Sequence, residues 1–426
     1  MPMPASVPTL VKKRGGPGRL AFREEGMHTL RPGNTVGERE DRIHTPLLVI
    51  GAGPYGLATA ACAKNAGIEQ LVVGETMAFW RENMPSGMML RSGADRHLEA
   101  AGENTFMAYL EERGLGPHDF ESIPVVLFLD YVDWFEKREG IDVVPDLVRE
   151  LLKPNGRFEA TLESGKRITS DAVVAAPGIS HFAVIPEWVK RDLSPERWAH
   201  TCNLVRFEQL LGKRVMIIGG RQSAFEWAAL LADGDAEEVH VVYRHDTPEF
   251  TTSDWHFVDA LMDLTATVPG WFRHLPPEER EAVARRFWAV GRLKLEPWLT
   301  PRLDKPSVHC WPHASVAACK ENPGGEIEAE LSNGTRLAVD YVILATGYKP
   351  DMRAVPYLSG VVDDMELADG FPVLDEQFQS SVPGLFITGF PATRDFGPFF
   401  GFVRGCPVAA TLTTDGLKEA LARADA

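Results

Sequence analysis

The chain has 426 residues, of which 44% are hydrophobic, enough to bury a large core and long enough for two or three domains. Its formal net charge of -16 excludes the basic surface that a nucleic acid or an anionic membrane would need. Five scattered cysteines, Cys62, Cys202, Cys310, Cys319 and Cys406, form no C-x-x-C and no metal-ligand spacing, which suits a reducing cytoplasm and excludes a disulfide framework or a cysteine metal site.

Residues 1–43 are rich in Pro, Gly and Arg, carry charges of both signs and lack a secretory hydrophobic segment, so they read as a disordered arm or as sequence ahead of a later start at Met27. The first element is a short buried strand, Leu47–Ile50. It breaks at Gly51-Ala52-Gly53-Pro54-Tyr55-Gly56 and enters an alanine-rich helix, Leu57–Ala66. Gly51 makes the turn, Gly53 leaves room for a pyrophosphate, and Gly56 lets helix and strand approach, so that the helix N-terminus faces phosphate. A second strand, Gln70–Gly74, ends on Glu75, at the distance past the last glycine where a carboxylate would bind ribose hydroxyls. Thr45–Ala63 is uncharged over nineteen positions, but its three glycines and Pro54 fit a phosphate turn better than a membrane span. The loop Met77–Ser92 then gathers Trp80, Met88, Met89 and Arg91 without helical or strand period, a composition suited to lining a ligand. Helical patterning returns over Thr105–Arg113 and Tyr131–Arg138, and Asp142–Val144 reads as a third strand.

An internal repeat follows. Glu159–Gly178 and Glu328–Gly347, read in register, are identical at nine of twenty positions. The glycine turn recurs at nearly the same offset as Val215–Ala224, with Gly219, Gly220, Arg221, Gln222 and Ser223, and its second strand ends on Arg244-His245. Two dinucleotide-binding units of like construction are therefore expected. Between them, Thr251–Trp311 holds five of the ten tryptophans, Trp255 among them. Glu278–Arg292 is expected to be an amphipathic helix with Val283, Phe287, Trp288 and Val290 inward; the aromatic stripe reads first as core and otherwise as a substrate lid. A short strand, Gly384–Phe390, leads to a final helix from about Pro407.

Two nucleotide folds in one chain imply one tightly held redox cofactor and one exchangeable reductant. Glu75 suits a ribose diol, and Arg244, at the corresponding strand end of the second unit, suits the 2′-phosphate of NADP. On the turns at Gly51–Gly56 and Gly219–Ala224, the Trp80–Ser92 loop, the run Ala345–Asp351 and the Gly384–Phe390 strand, the chain resembles the two-dinucleotide-domain flavoproteins, and within them the NADPH-dependent flavin monooxygenases, with their N-hydroxylating and Baeyer–Villiger branches. The resemblance covers roughly residues 45–425.

It implies an α/β, glutathione-reductase-like architecture: an FAD domain from residues 44–185 and 345–426, and an inserted NADPH domain, 186–344, carrying the aromatic-rich segment 251–311. FAD would contact Gly51, Gly53, Pro54, Tyr55, Gly56, Glu75, Trp80, Met89, Arg91, Val148, Gly178, Gly389 and Phe390; NADPH would contact Gly219, Gly220, Arg221, Gln222, Ser223 and Arg244, with Thr346 and Gly347 bridging the two. Hydride from NADPH would reduce the flavin, and the C4a-hydroperoxyflavin formed with O2 would oxidise a nucleophilic nitrogen or sulfur or attack a ketone. Arg91 and Ser92 are the candidates beside the flavin, and Trp255, Phe399 and Phe400 those facing substrate.

Two departures stand out. The family's F-x-G-x-x-x-H-x-x-x-F/Y motif keeps here only His200, with Ser194, Glu196 and Leu204 at its other positions. Arg221 replaces the glycine that would let the backbone reach the nicotinamide pyrophosphate, so either its guanidinium grips a phosphate or binding is weakened. The alternatives are a reductase passing electrons to a quinone, disulfide or protein, and a flavin-binding redox sensor without turnover. Small-molecule substrate and O2 are the expected partners, with no nucleic acid, membrane or metal; a homo-oligomer is compatible with the composition.

Overall fold

A computed structural model describes residues 42–424 except 121 and 254. The arm expected over residues 1–43 lies outside the described residues except at its end, where Arg42 and Ile43 open the first strand, Arg42–Ile50. That strand lies parallel to Gln70–Val73 on one side and to Arg167–Ala175 on the other. Val143–Val144 and Leu385–Ile387 extend the parallel sheet, and a meander through Phe158–Leu162 and Val148–Leu152 completes seven strands. In register, Ile50, Val73, Ala175 and Ile387 all end at one edge, the carboxyl edge where open α/β sheets bind ligands.

Every side chain of Leu47–Ile50 is buried, as both sheet faces are covered. Leu47 and Val49 pack with the helix Pro54–Asn65 and with Leu417 and Ala410 of the last helix, Cys406–Ala424; Leu48 and Ile50 pack on the opposite side with Phe378, Phe396 and Leu358. Each such side chain contributes about 1.5–3 kcal/mol, which is why the alternation fixes the register of the sheet.

The second unit repeats the plan. Arg214–Ile218 lies between Glu238–Val242 and Tyr341–Leu344, with Val308–Trp311 and Trp198–His200 at the edges, all parallel. A three-stranded antiparallel sheet, Val316–Glu321, Ile327–Leu331 and Arg336–Val339, holds the first half of the second repeat copy, which runs on into Tyr341–Leu344 of the parallel sheet. Three local expectations need correction, and one strand was not expected. Val308–Trp311 is a strand of the parallel sheet, so the insertion ends before it, and Trp198–His200 is a strand too short for its pattern to show. The helix expected from Tyr131 begins at Val125, just after Pro124. Glu278–Arg292 is an α-helix over Pro277–Phe287 followed by a π-turn, Trp288–Arg292. Phe287 is buried, while Trp288, the next residue along the helix, is 39% exposed and Val283 and Val290 are half-buried.

Candidate active site

The two glycine turns are built alike, down to single hydrogen bonds. Gly51 N–H donates to Val73 O at 2.8 Å and Ala176 N–H to Ile50 O at 2.9 Å; in the second unit Gly219 N–H donates to Val242 O at 3.0 Å and Ala345 N–H to Ile218 O at 2.9 Å. Gly51 (φ +106°) and Gly219 (φ +143°) each lie so close to the neighbouring strand that a Cβ would stand 2.4 Å from Ala176 O and 2.3 Å from Ala345 O, respectively. The repeat seen in the sequence is thus a repeat of turn geometry, with Ala176 and Ala345 as equivalent residues.

The first turn fits the pyrophosphate of FAD. A Cβ on Gly56 would fall 1.8 Å from Gly51 O, so glycine is obligatory there for packing. A Cβ on Gly53 would meet nothing within 4 Å, which leaves an open cradle before the helix. No side chain caps that helix, no acidic residue stands in its first turn, and Pro54 has no amide to spend, so the positive end is free for an anion. Glu75 is exposed at the end of its strand. The Tyr55 hydroxyl lies 2.5 Å from Phe400 O and 2.8 Å from Phe402 O, its one hydrogen shared between the two carbonyls, and so ties the C-terminal segment to the turn. Gly389 packs against the same ring, where a Cβ would stand 3.3 Å from Tyr55 Cδ2. Gly178 (φ +68°) and Gly347 (φ +78°), equivalent in the repeat, both face open space. Val148 opens its strand and is buried opposite Leu162.

In the second unit Gly220 is wedged against Tyr243, whose Cβ a new Cβ would approach to 2.4 Å. Arg221 caps the helix Gln222–Asp233, and its guanidinium lies 4.4 Å over the Trp288 ring, with Nη1 buried and without an acceptor. Burial lowers its pKa from the usual arginine value. Behind it Gln222 is buried with neither amide atom paired, and Glu226, 1% exposed, takes the Met89 N–H at 3.3 Å while Oε2 has no partner. Burial is the main cause that pushes the Glu226 pKa up to about 7. Neither Gln222 nor Glu226 lines the cavity between the units, so this polar pair lies beneath the helix on the side of Met89, and Arg221 and Ser223 are the side chains of the turn that face a ligand. His200 is buried, with Nε2 3.2 Å from Gly347 O and Nδ1 3.1 Å from Cys202 Sγ, so the motif histidine links its strand to the Ala345–Gly347 turn. Desolvation lowers its pKa and keeps it neutral at pH 7.

A cavity of about 1170 Å³ runs between the units. Gly219, Arg221, Ser223, Arg244, Thr346 and Gly347 line it on the nucleotide side; Phe287, Trp288, Arg292, Phe390, Pro398 and Phe402 line it on the other. Arg244 is exposed at its strand end. The expected substrate residues sit behind this wall: Phe399 and Phe400 are 1% and 0% exposed in the core, and the segment reaches the cavity through Pro398 and Phe402. Trp255 packs on Gly291 and Phe287. Arg91 donates through Nε to Glu296 at 3.1 Å, and its Nη2 lies within hydrogen-bond distance of Ser253 Oγ, Gly291 O and Lys294 O at 3.0, 2.9 and 2.7 Å, while Nη1 is buried without an acceptor; the contacts fasten the insertion to the first unit. Ser92 is half-buried beside Trp80, and the Trp80 ring packs 5.1 Å from Phe128. Sequence reasoning missed Arg292 and Glu226. The first reads as one more charge in a basic stretch; the second lies four residues past Gln222, a helical spacing that does signal a shared face.

Two glycine turns of matching geometry, the second of them lining a cavity that Phe390, Pro398 and Phe402 of the first unit also line, define a flavin- and pyridine-nucleotide-linked oxidoreductase. Two family models, both described as pyridine nucleotide-disulphide oxidoreductase, match residues 48–258 and 283–392. Indole-3-pyruvate monooxygenase YUCCA6 of Arabidopsis thaliana is 26% identical over 418 residues, covering 89% of this chain and 91% of its own. The FAD-dependent urate hydroxylase of Xanthomonas campestris is 30% identical over 275 residues, 60% of this chain and 54% of its own. Among solved structures, the ornithine N-hydroxylase of Kutzneria sp. 744 in complex with reduced FAD, NADP+ and L-ornithine superposes with a TM-score of 0.74 at 16% identity, over 90% of this chain and all of that one. The two matched models share one description and together span most of the chain, and the two relatives are flavin-dependent monooxygenases to which the chain is similar.

Proposed function

We propose that the protein is an NADPH-dependent monooxygenase that transfers one oxygen atom from O2 to a small organic substrate at a nucleophilic nitrogen or sulfur or at a ketone. The observation that carries this reading is the duplicated turn, with Gly51 and Gly219 in matching geometry and residues of both units lining a cavity of about 1170 Å³. FAD, when bound, supplies the hydride-accepting and oxygen-activating chemistry.

The chain's own residues bind, orient and exclude. In this reading residues 44–185 and 345–426 hold FAD, with its pyrophosphate on the open side of Gly53 and its ribose on Glu75; residues 186–344 hold NADPH, with Arg221 and Ser223 at the pyrophosphate and Arg244 at the 2′-phosphate. Phe287, Phe390 and Phe402 present apolar faces where the reacting centres meet, which keeps water away from the activated oxygen. Thiol chemistry has no support, since burial pushes all five cysteines up from the usual thiol value, Cys319 to about 12. Among the described residues no helix is long and apolar enough to cross a membrane, and the free cysteines support a cytoplasmic location.

The test is turnover with NADPH under oxygen-18 gas across amines, thioethers and ketones. One labelled oxygen per NADPH in a product is expected. NADPH oxidation that yields only hydrogen peroxide with every class, together with reduction of a quinone or protein acceptor, would replace this reading with a reductase.

A further inference from the structure

Three guanidiniums meet where the insertion closes on the cavity, and their counter-charges do not balance. Arg91 is paired with Glu296 at 3.1 Å. Arg221 and Arg292 make no ion pair among the described residues, and the neighbouring acid Glu281 is paired with Arg285 at 2.7 Å. Arg292 Nε is buried without an acceptor. Its guanidinium lies 4.8 Å over Phe402 and 5.9 Å over Trp288, whose ring also carries Arg221 at 4.4 Å. Burial, with further repulsion from Arg91 and Arg221, lowers its pKa to about 9. Cation–π contacts offset part of the cost of burying a charge but do not replace a counter-ion. An arginine left in this state on a cavity wall is half of an ion pair.

We propose that Arg292 anchors a carboxylate of the substrate, so that the cavity takes an organic anion with an apolar or aromatic body, and Trp288 divides that anion from the nucleotide phosphates at Arg221. This substrate class rests on the monooxygenase reading above. One guanidinium between two aromatic faces neutralises one charge, which matches a carboxylate and would leave a phosphate dianion half compensated. The aromatic walls Phe287 and Phe402 beside it favour an apolar body over a hydrated one.

The experiment is calorimetric titration of the FAD-loaded protein with phenylpyruvate and with phenylacetone, which has the same ring and ketone but no carboxylate. A charge-assisted contact of this kind predicts that phenylpyruvate binds at least about tenfold more tightly. That preference should vanish in Arg292→Gln and survive in part in Arg292→Lys, while the Kd for NADP+ changes by less than about twofold. Equal affinity of the two probes in the wild-type protein, binding of neither, or a loss of NADP+ affinity in Arg292→Gln matching that of phenylpyruvate would overturn the proposal. Oxygen-18 transfer is read separately. Transfer without carboxylate preference spares the monooxygenase and removes the anchor; preference without transfer to any substrate class does the reverse.

Discussion

Replacing Gly53 with valine should separate cofactor binding from folding. Gly53 sits at φ −83° and ψ −174°, extended backbone that any residue adopts, and a Cβ there meets no atom within 4 Å. The apoprotein should therefore lose no more than about 1 kcal/mol, the usual cost of a poor residue at a helix N-cap. FAD is affected differently, because the new side chain occupies the space between the pyrophosphate and the amides of the helix. Loss of two charge-assisted hydrogen bonds at about 1.5–3 kcal/mol each lowers affinity by roughly 10²- to 10⁴-fold, enough to empty the site during purification. Gly56→Ala is the contrasting control. Its Cβ would stand 1.8 Å from Gly51 O, so the turn itself must move, and stability should fall by more than the roughly 1–3 kcal/mol of ordinary overpacking. The assay is the 450 nm flavin absorbance per protein after gel filtration, with apoprotein melting by circular dichroism. Full flavin occupancy in Gly53→Val would refute the placement of the pyrophosphate; an apoprotein as damaged as Gly56→Ala would refute the reading of Gly53 as open.

Other perturbations test the rest of the site. Arg244→Ala should raise KM for NADPH by roughly ten- to a hundredfold and leave NADH nearly unchanged, whereas Arg221→Ala should weaken both, since the pyrophosphate is common to them; equal harm to both from Arg244→Ala would displace the 2′-phosphate from that strand end. Alanine at each cysteine in turn should lower kcat by less than about a hundredfold, and a larger loss with the fold intact would bring back disulfide chemistry. The Glu226 carboxyl, held near pH 7 against its ordinary 4.5, binds its proton more tightly in the folded chain. Its contribution to stability is therefore complete below about pH 4.5 and falls by about 3 kcal/mol as the pH rises through 7. Glu226→Gln apoprotein should gain that much over wild type at pH 8 and almost nothing at pH 4.5, as read by urea unfolding; an equal gain at both would mean that packing, not charge, is responsible.

What was legible in the sequence follows from how local each signal is. A glycine turn, its preceding strand and its following helix are contiguous in the chain, and their constraints are steric, so the first unit could be read from Leu47 to Glu75 directly. The second unit was legible because Glu328–Gly347 repeats Glu159–Gly178, and the matched hydrogen bonds at Ala176 and Ala345 show that the shared residues mark the same turn. Trp198–His200 and Val308–Trp311 escaped notice because three or four residues cannot display a period, and their place depends on strands far away in sequence. The orientation of Trp288 escaped for a different reason: hydrophobic spacing places Phe287 and Trp288 on one face, whereas the fold sets Trp288 at the cavity beside Arg221, a contact with a residue far away in sequence.

Arg91 and Arg292 mark the limit of such reading most plainly. In sequence Arg91 stands in the loop after the first nucleotide unit and Arg292 in a basic run, so Arg91 looks functional and Arg292 looks like surface charge. The fold reverses their environments. Arg91 meets Glu296 and three further acceptors in the insertion, and its charge is spent on holding two parts of the chain together. Both guanidiniums keep one buried nitrogen without an acceptor, but Arg292 meets aromatic faces and another arginine and makes no ion pair among the described residues. The difference lies in partners far away along the chain, in the insertion for Arg91 and at Phe402 for Arg292, pairings that no local spacing contains. A charged residue's role is set by whether the folded chain supplies its counter-ion, and where it does not, the missing partner must come from outside.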